Sequence, residues 1–228
     1  MNGRYSRQIP VFGEDGQARI QSARVGIAGC GGLGVNVATQ LAMAGVGAFV
    51  LADDQMPDIT NLNRQFIYAA SDFTPKCETC AQWVLMLNPV MEVECHAERI
   101  TSETYRMFEG CDVIVDCLDN MESRMVLSDA AEELGIPLVH GGISGMNGQI
   151  AVFIPGKTPS LRDILGTVQG EDGEIPVFGA AVSVIASMEA VEALKIVSGA
   201  GSPAAGRLVT VDLDGWTIEN ASFGNRLD

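Results

Sequence analysis

The chain has 228 residues, 47% hydrophobic and 6% aromatic, enough for one large core or a core with a small appendage. Its 14 Lys and Arg against 29 Asp and Glu give a formal charge of −15, which opposes nucleic acid and anionic membrane as general partners but leaves room for a local basic pocket. No apolar run approaches the ~20 residues of a membrane span. The start Met1-Asn2-Gly3-Arg4 has no export signal, and six cysteines in a chain this size read as reduced thiols, so a cytoplasmic protein is expected.

Residues 1–22 read as an N-terminal arm or helix. Arg24–Ala28 is a short apolar strand running into Gly29-Cys30-Gly31-Gly32-Leu33-Gly34. Leu33, Val37, Leu41 and Ala44 then mark one face of a helix that stops at Gly45. A second apolar run, 47–53, ends in Asp53. Polar residues 54–76 lead to a helix that Pro89 terminates near Asn88. A strand is expected at 92–97, a short helix opened by a Thr101 cap at 101–110, and a buried strand at 111–117 before Leu118-Asp119-Asn120. A helix over about 123–134 follows, then strands at 137–140 and 149–154 joined by a Gly-rich turn. Residues 155–178 hold so many Pro and Gly that they read as a crossover loop without regular structure. An apolar helix, 180–197, precedes a hairpin of 208–213 and 217–220 around Asp214-Gly215.

Strands that read as continuous apolar runs are buried on both faces, as in parallel sheets. The expected fold is α/β: a Rossmann-like doubly wound, mostly parallel sheet extended by antiparallel strands. We read 1–228 as one domain, with a nucleotide-binding half at 23–140 and a second half at 141–228.

Gly29-x-Gly31-x-x-Gly34 lies between a strand and a helix, and Asp53 follows Gly34 by nineteen residues. Glycines let backbone approach phosphate, the helix start offers free N–H groups, and an acid ending the second strand suits ribose hydroxyls. That predicts a nucleotide site without choosing between dinucleotide and ATP. Three downstream features favour a triphosphate with magnesium. Arg64 lies in Asn61-Leu62-Asn63-Arg64-Gln65, Lys76 starts a helix after Pro75, and Asp119 stands at a strand end where open α/β sheets present ligand-binding groups. Two cations neutralise phosphate and a carboxylate holds the metal. Against this, Arg64 and Lys76 read singly as solvated charges, and Asp119 as a helix cap.

These motifs, with Arg4-Tyr5-Ser6-Arg7-Gln8-Ile9 and Asp116-Cys117-Leu118-Asp119-Asn120, resemble the ThiF/MoeB/HesA family, prokaryotic relatives of ubiquitin-activating enzymes. The resemblance covers nearly the whole chain. It implies ATP-dependent adenylylation of the C-terminal carboxylate of a small ubiquitin-like sulfur carrier ending Gly-Gly, with release of pyrophosphate, in thiamine, molybdopterin or a related sulfur pathway. It implies a ThiF/MoeB-like fold whose 141–228 half binds the carrier. By the same resemblance Asp53 would bind ribose, and Gly29, Gly31, Gly32, Leu33 and Gly34 the phosphates. Arg64 and Lys76 would contact the triphosphate, with Asn61 and Gln65 beside them, and Asp119 would hold Mg2+. Arg7 would act in trans from the partner subunit of a homodimer.

The sequence departs from the family in three places. Many members carry two Cys-x-x-Cys pairs for zinc, but here one position reads Ser160-Leu161-Arg162-Asp163 and the tail after Phe223 lacks cysteine, so zinc is not expected and the crossover loop should be loose. No cysteine follows Cys117, which excludes a thioester through that loop and implies a separate sulfur donor protein. Gln55 replaces an acid two residues after the ribose Asp. The pair Cys77 and Cys80 reads as helix packing in preference to a redox site. Cys95 and His96 should point to opposite faces of a strand and not share a metal. His140, ending a strand near the reaction centre, is a weaker site candidate. Three other readings stand beside this one: adenylation of another acceptor such as a peptide, an NAD-binding oxidoreductase, and a silent binding module. The oxidoreductase gives no reason for Arg64, Lys76 and Asp119 together.

Overall fold

A computed structural model describes residues 3–69, 73–166 and 175–223. A 3-10 turn, Gly3–Tyr5, precedes α1 (Ile9–Ser22), which kinks at Gly13, where φ is +75°. Then come β1 (Arg24–Ala28), α2 (Gly32–Ala44), β2 (Ala48–Ala52), α3 (Lys76–Leu87), β3 (Glu92–His96), β4 (Val113–Asp116) and α4 (Met121–Leu134). The second half holds β5 (Leu138–Ser144), β6 (Asn147–Phe153), α5 (Leu161–Leu165), α6 (Gly179–Ser198), β7 (Arg207–Asp212) and β8 (Thr217–Ser222).

These strands form one eight-stranded sheet, ordered β3-β2-β1-β4-β5-β6-β7-β8. The first five are parallel and the last three antiparallel, as expected for a doubly wound sheet with an antiparallel extension. Side chains alternate between two buried clusters. Val25, Ile27, Phe49, Leu51, Val113 and Val115 join the cluster that includes α2 and α6 residues, while Val50, Ile114 and Leu138 join the one that includes Leu127 of α4. Each such side chain contributes roughly 1.5–3 kcal/mol on burial, and covering both faces leaves only the strand ends for chemistry. No helix among the described residues is long and apolar enough to cross a membrane.

The segment 155–178 is not wholly irregular. Ser160 accepts from the Asp163 N–H at 3.1 Å and Asp163 accepts from the Ser160 N–H at 2.8 Å, a capping box that starts α5. Ser160 and Asp163 thus serve the helix start; positions 167–174 lie outside the described residues. Within 101–110 the helical part is a 3-10 turn, Tyr105–Phe108, while the Thr101 hydroxyl accepts N–H groups from Glu103 and Thr104 in the turn before it. The expected Gly-rich turn is also shorter. Gly141 and Gly142 lie inside β5, paired with Ile150 and Gln149, and the chain reverses after Ser144.

Gly141 is required there because α6 presses against the strand. A Cβ on Gly141 would lie 2.2 Å from the Glu189 carboxyl carbon. Glu189 is fully buried and neither carboxylate oxygen has a hydrogen-bond partner. Burial pushes its pKa well above the ordinary value, and the Asp116 charge adds to the shift. The native state therefore keeps a proton that the unfolded chain releases above about pH 4.5, so this group's contribution falls as pH rises. Glu189→Gln has no proton to lose. Its melting temperature relative to wild type is predicted to be higher at pH 8 than at pH 4.5; an offset that is the same at both pH values would contradict a raised pKa.

Candidate active site

Between β1 and β4 the strand order reverses, and the carboxyl ends of the two strands part to form the crevice typical of such sheets. A cleft of about 1750 Å³ opens there. The loop after β1 supplies its floor. Gly29 sits at φ +92°, and a Cβ on Gly34 would fall 1.9 Å from the Gly29 carbonyl oxygen, so the loop and α2 pack at a distance only glycine permits. Gly31 caps α2 without any side-chain hydrogen bond. The first N–H groups of α2 are therefore left to the cleft, which Gly29, Gly31, Gly32 and Leu33 line. Gly34 does not line it; its role is the close packing.

Asp53, just beyond β2, accepts from the Cys30 N–H at 2.7 Å and the Gln55 N–H at 2.8 Å. Burial raises its pKa, while those two N–H groups and the Lys76 charge pull it down. A carboxylate has about four acceptor sites, so capacity remains for hydroxyls in the cleft.

Lys76 opens α3 and is only 2% exposed, with its ammonium bonded to Gln55 Oε1 at 2.7 Å. Gln55, the departure from an acid, gives this cation an amide oxygen at hydrogen-bond distance, while the Asp53 carboxylate stands near enough for the Lys76 charge to lower its pKa. Arg64 also bonds neutral oxygens: its Nη1 donates to the Thr60 carbonyl at 3.0 Å and to Asn63 Oδ1 at 2.8 Å. Its stem lies over Gly32. By contrast Arg24, Arg99, Arg106, Arg162 and Lys195 each meet a carboxylate. In a chain of charge −15, Arg64 and Lys76 place two cations on the cleft lining near the helix start, with the Asp53 and Asp54 carboxylates on the same lining.

Gln65, 4% exposed, lines the same wall, and its Oε1 has no partner. Such an orphaned acceptor inside a polar cleft is suited to a ligand donor. Asp119 lies across from these groups, two residues past Cys117, exposed and lining the cleft. It is not the helix cap: the α4 cap is Asn120, whose Oδ1 accepts from the Ser123 N–H at 2.9 Å. Among the described residues the carboxylate of Asp119 has only a long 3.4 Å contact to the Asn120 amide. Among the described residues no three or more His, Cys, Asp or Glu gather to hold a metal. A magnesium carried on a triphosphate needs just one or two carboxylates, so Asp119 fits that demand.

Two expected residues stand elsewhere. Asn61 Oδ1 accepts from the Asp58 N–H at 3.1 Å and completes a capping box for its own 3-10 turn; the side chain shapes the loop that carries Arg64 and does not line the cleft. Arg7 lies exposed before α1, also away from the cleft lining. Cys77 and Cys80 are buried in the same core cluster as Cys30 of the glycine loop, with Cys95 of β3 packed against it, so they serve as packing residues. His96 meets Glu94 and Glu98 instead, so Cys95 and His96 do diverge.

Sequence reasoning missed Arg124 and Gln149, which line the cleft beside Gly142. Arg124 lies within α4, the helix that starts beside the β4 crevice, and that position was a usable signal. Gln149 is placed by antiparallel pairing with Gly142, which no local pattern reveals.

The chain matches the ThiF family over residues 5–226. It is 37% identical over 92% of its length to a sulfur carrier protein adenylyltransferase of Thermus thermophilus, covering 82% of that protein. It is 35% identical over 99% of its length to a SAMP-activating enzyme E1 of Haloferax volcanii, covering 86% of it. A structure of E. coli MccB with ATP superposes with a TM-score of 0.85 at 22% identity, covering 98% of this chain and 72% of that one, a likeness of fold. With a cleft of this construction and a match across almost its whole length, the chain belongs to the ThiF family.

Proposed function

We propose that this protein adenylylates the C-terminal carboxylate of a small ubiquitin-like sulfur carrier ending Gly-Gly. A carrier carboxylate oxygen attacks the α-phosphorus of ATP, the bond from that phosphorus to the bridging oxygen breaks, and pyrophosphate leaves. The observation that carries this reading is the pair of cleft cations, Arg64 and Lys76, bonded to neutral oxygens beside an uncapped helix start. It is supported by relatives named for adenylylation of a sulfur carrier protein and for activation of SAMP.

Each group has a task in that step. The N–H groups of the glycine loop and Leu33 receive phosphate oxygens, with Gly34 holding the loop to α2. Asp53 takes the ribose hydroxyls, and Gln65 offers its unpaired oxygen to a donor on the nucleotide. Arg64 and Lys76 neutralise the charge that gathers on the leaving pyrophosphate. Asp119 would hold Mg2+, which supplies further charge neutralisation between the phosphates. Asn61 acts through the loop it caps. No protein nucleophile is needed, because positioning and charge account for phosphoryl-type transfer.

Several parts of the reading extend further. We take residues 1–228 as one adenylation domain working as a cytoplasmic homodimer, with Arg7 reaching the partner's cleft. The acyl-adenylate then passes to a sulfur donor, taken to be a separate protein, in thiamine, molybdopterin or a related biosynthesis. Zinc is not expected, and elemental analysis is predicted to find well under one zinc per chain; a one-to-one content would contradict that.

The direct test is exchange of labelled pyrophosphate into ATP, with magnesium and a purified Gly-Gly-terminated carrier. Wild type should catalyse exchange, and Asp119→Ala should lose about 100-fold or more of it with an unchanged melting profile. Full activity in that variant would remove Asp119 from the metal position. Mixed dimers of Arg7→Ala and Asp119→Ala subunits should regain part of the activity, because one of their two clefts contains both residues intact. No recovery in a verified mixed dimer would count against a shared site.

A further inference from the structure

Beneath the second wall of the cleft lies a buried polar cluster that the proposed reaction does not use. Asp116 ends β4 and His140 sits beside it in register on β5; both side chains are fully buried. His140 Nδ1 lies 2.7 Å from Asp116 Oδ2, and its Nε2 lies 3.2 Å from the Gln149 amide nitrogen. Arg124 Nη1 is 3.2 and 3.3 Å from the two ring nitrogens, and Arg124 Nε is 3.9 Å from Asp116 Oδ2.

These contacts select one form of the imidazole. An ionised carboxylate only accepts, so Nδ1 must carry the hydrogen toward Asp116. Nε2 then faces the Gln149 amide donor and must accept, while Arg124 Nη1 lies almost equally near both ring nitrogens. Protonating it would set N–H against N–H and a second cation against Arg124. Burial and the Arg124 charge also lower the His140 pKa, in agreement with the neutral ring. From α6, the Glu189 carboxyl faces Asp116 and Arg124, and its raised pKa keeps it from adding a second buried anion.

Arg124 leads from this cluster to the site. Its Nε donates to the Leu118 carbonyl at 3.1 Å, and its Nη2 donates to the same oxygen. The Leu118 N–H donates to Asp116 Oδ1 at 3.1 Å. Leu118 is the residue before Asp119. Both of its backbone polar groups are thus fastened, one by Asp116 and one by Arg124, while among the described residues the Asp119 carboxylate has only the long contact to Asn120.

We propose that Arg124, aimed by Asp116 and the neutral Nδ1–H form of His140, is the positioning residue that sets where Asp119 meets the metal. This rests on the adenylylation reading and names the part of the fold that prepares its metal position. Ligands held by such outer contacts lose about 10–100-fold in metal affinity when the contact is removed.

The test uses Mn2+ as the metal probe with a β,γ-methylene ATP analogue, followed by electron paramagnetic resonance. Arg124→Gln and His140→Phe should each weaken Mn2+ binding about tenfold, and His140→Phe, whose ring is fully buried and does not line the cleft, should keep metal-free analogue affinity within about twofold of wild type. Amide hydrogen exchange at Leu118 and Asp119 should speed up in both variants without ligand. Placing Arg124→Gln in an Asp119→Asn background should give little further loss, since the two act through one ligand. If Arg124→Gln fails to fold, Arg124→Lys supplies the measurement, because it keeps the charge but not the paired donors to Leu118; intermediate Mn2+ affinity is expected. Unchanged Mn2+ affinity in the folded variants, or losses that add fully to that of Asp119→Asn, would overturn the proposal. Wild type that binds no Mn2+ with the analogue would instead overturn the adenylylation reading.

Discussion

A cation that meets an amide where a carboxylate would be expected is the constraint around which the site is built. Lys76 is buried at the start of α3 and bonded to Gln55, and Arg64 arches over Gly32 onto a carbonyl and an amide. In a strongly acidic chain such charges are usually matched, and several arginines elsewhere are. Among the described residues neither cation forms an ion pair, and both stand near the uncapped helix start where β1 and β4 diverge. An anion that fills the space completes a pairing the protein leaves open, and a triphosphate has the charge to do so.

The two walls of the cleft do different work. The wall of β1, β2 and α3 combines backbone N–H groups, the cations Arg64 and Lys76 and the Asp53 carboxylate, and is suited to phosphate and ribose. The wall of β4, β5 and α4 presents one exposed carboxylate above a buried network of Asp116, His140 and Arg124. Buried polar networks rigidify what they touch when every member is satisfied. Glu189, with no partner for either oxygen, lies at the edge of this network, and Gly141 gives it room.

Much of this was readable before the structure, for local reasons. Parallel strands declare themselves as apolar runs, the glycine loop, Asp53, Lys76 and Asp119 each follow a strand or open a helix, and Arg64 stands in the polar loop between β2 and α3. What stayed hidden depends on contacts between distant segments. His140 reaches Asp116 only through the β4–β5 register, and Gln149 is set opposite Gly142 only through the β5–β6 register. Asn61 has the composition of a ligand residue, yet its side chain closes its own turn, an alternative always open to Asn and Asp beside a helix start. Ser160 and Asp163 did carry a readable capping-box spacing, but proline and glycine around them masked a helix of five residues.

The most direct measurement of the central claim is calorimetric titration of the protein with magnesium-ATP and, separately, with NADH. The account predicts saturable binding of ATP that weakens about tenfold or more in Lys76→Ala, since a charge-assisted contact is lost, and no binding of NADH. Binding of NADH without ATP would contradict it, and would mean that the cleft cations serve some other anion.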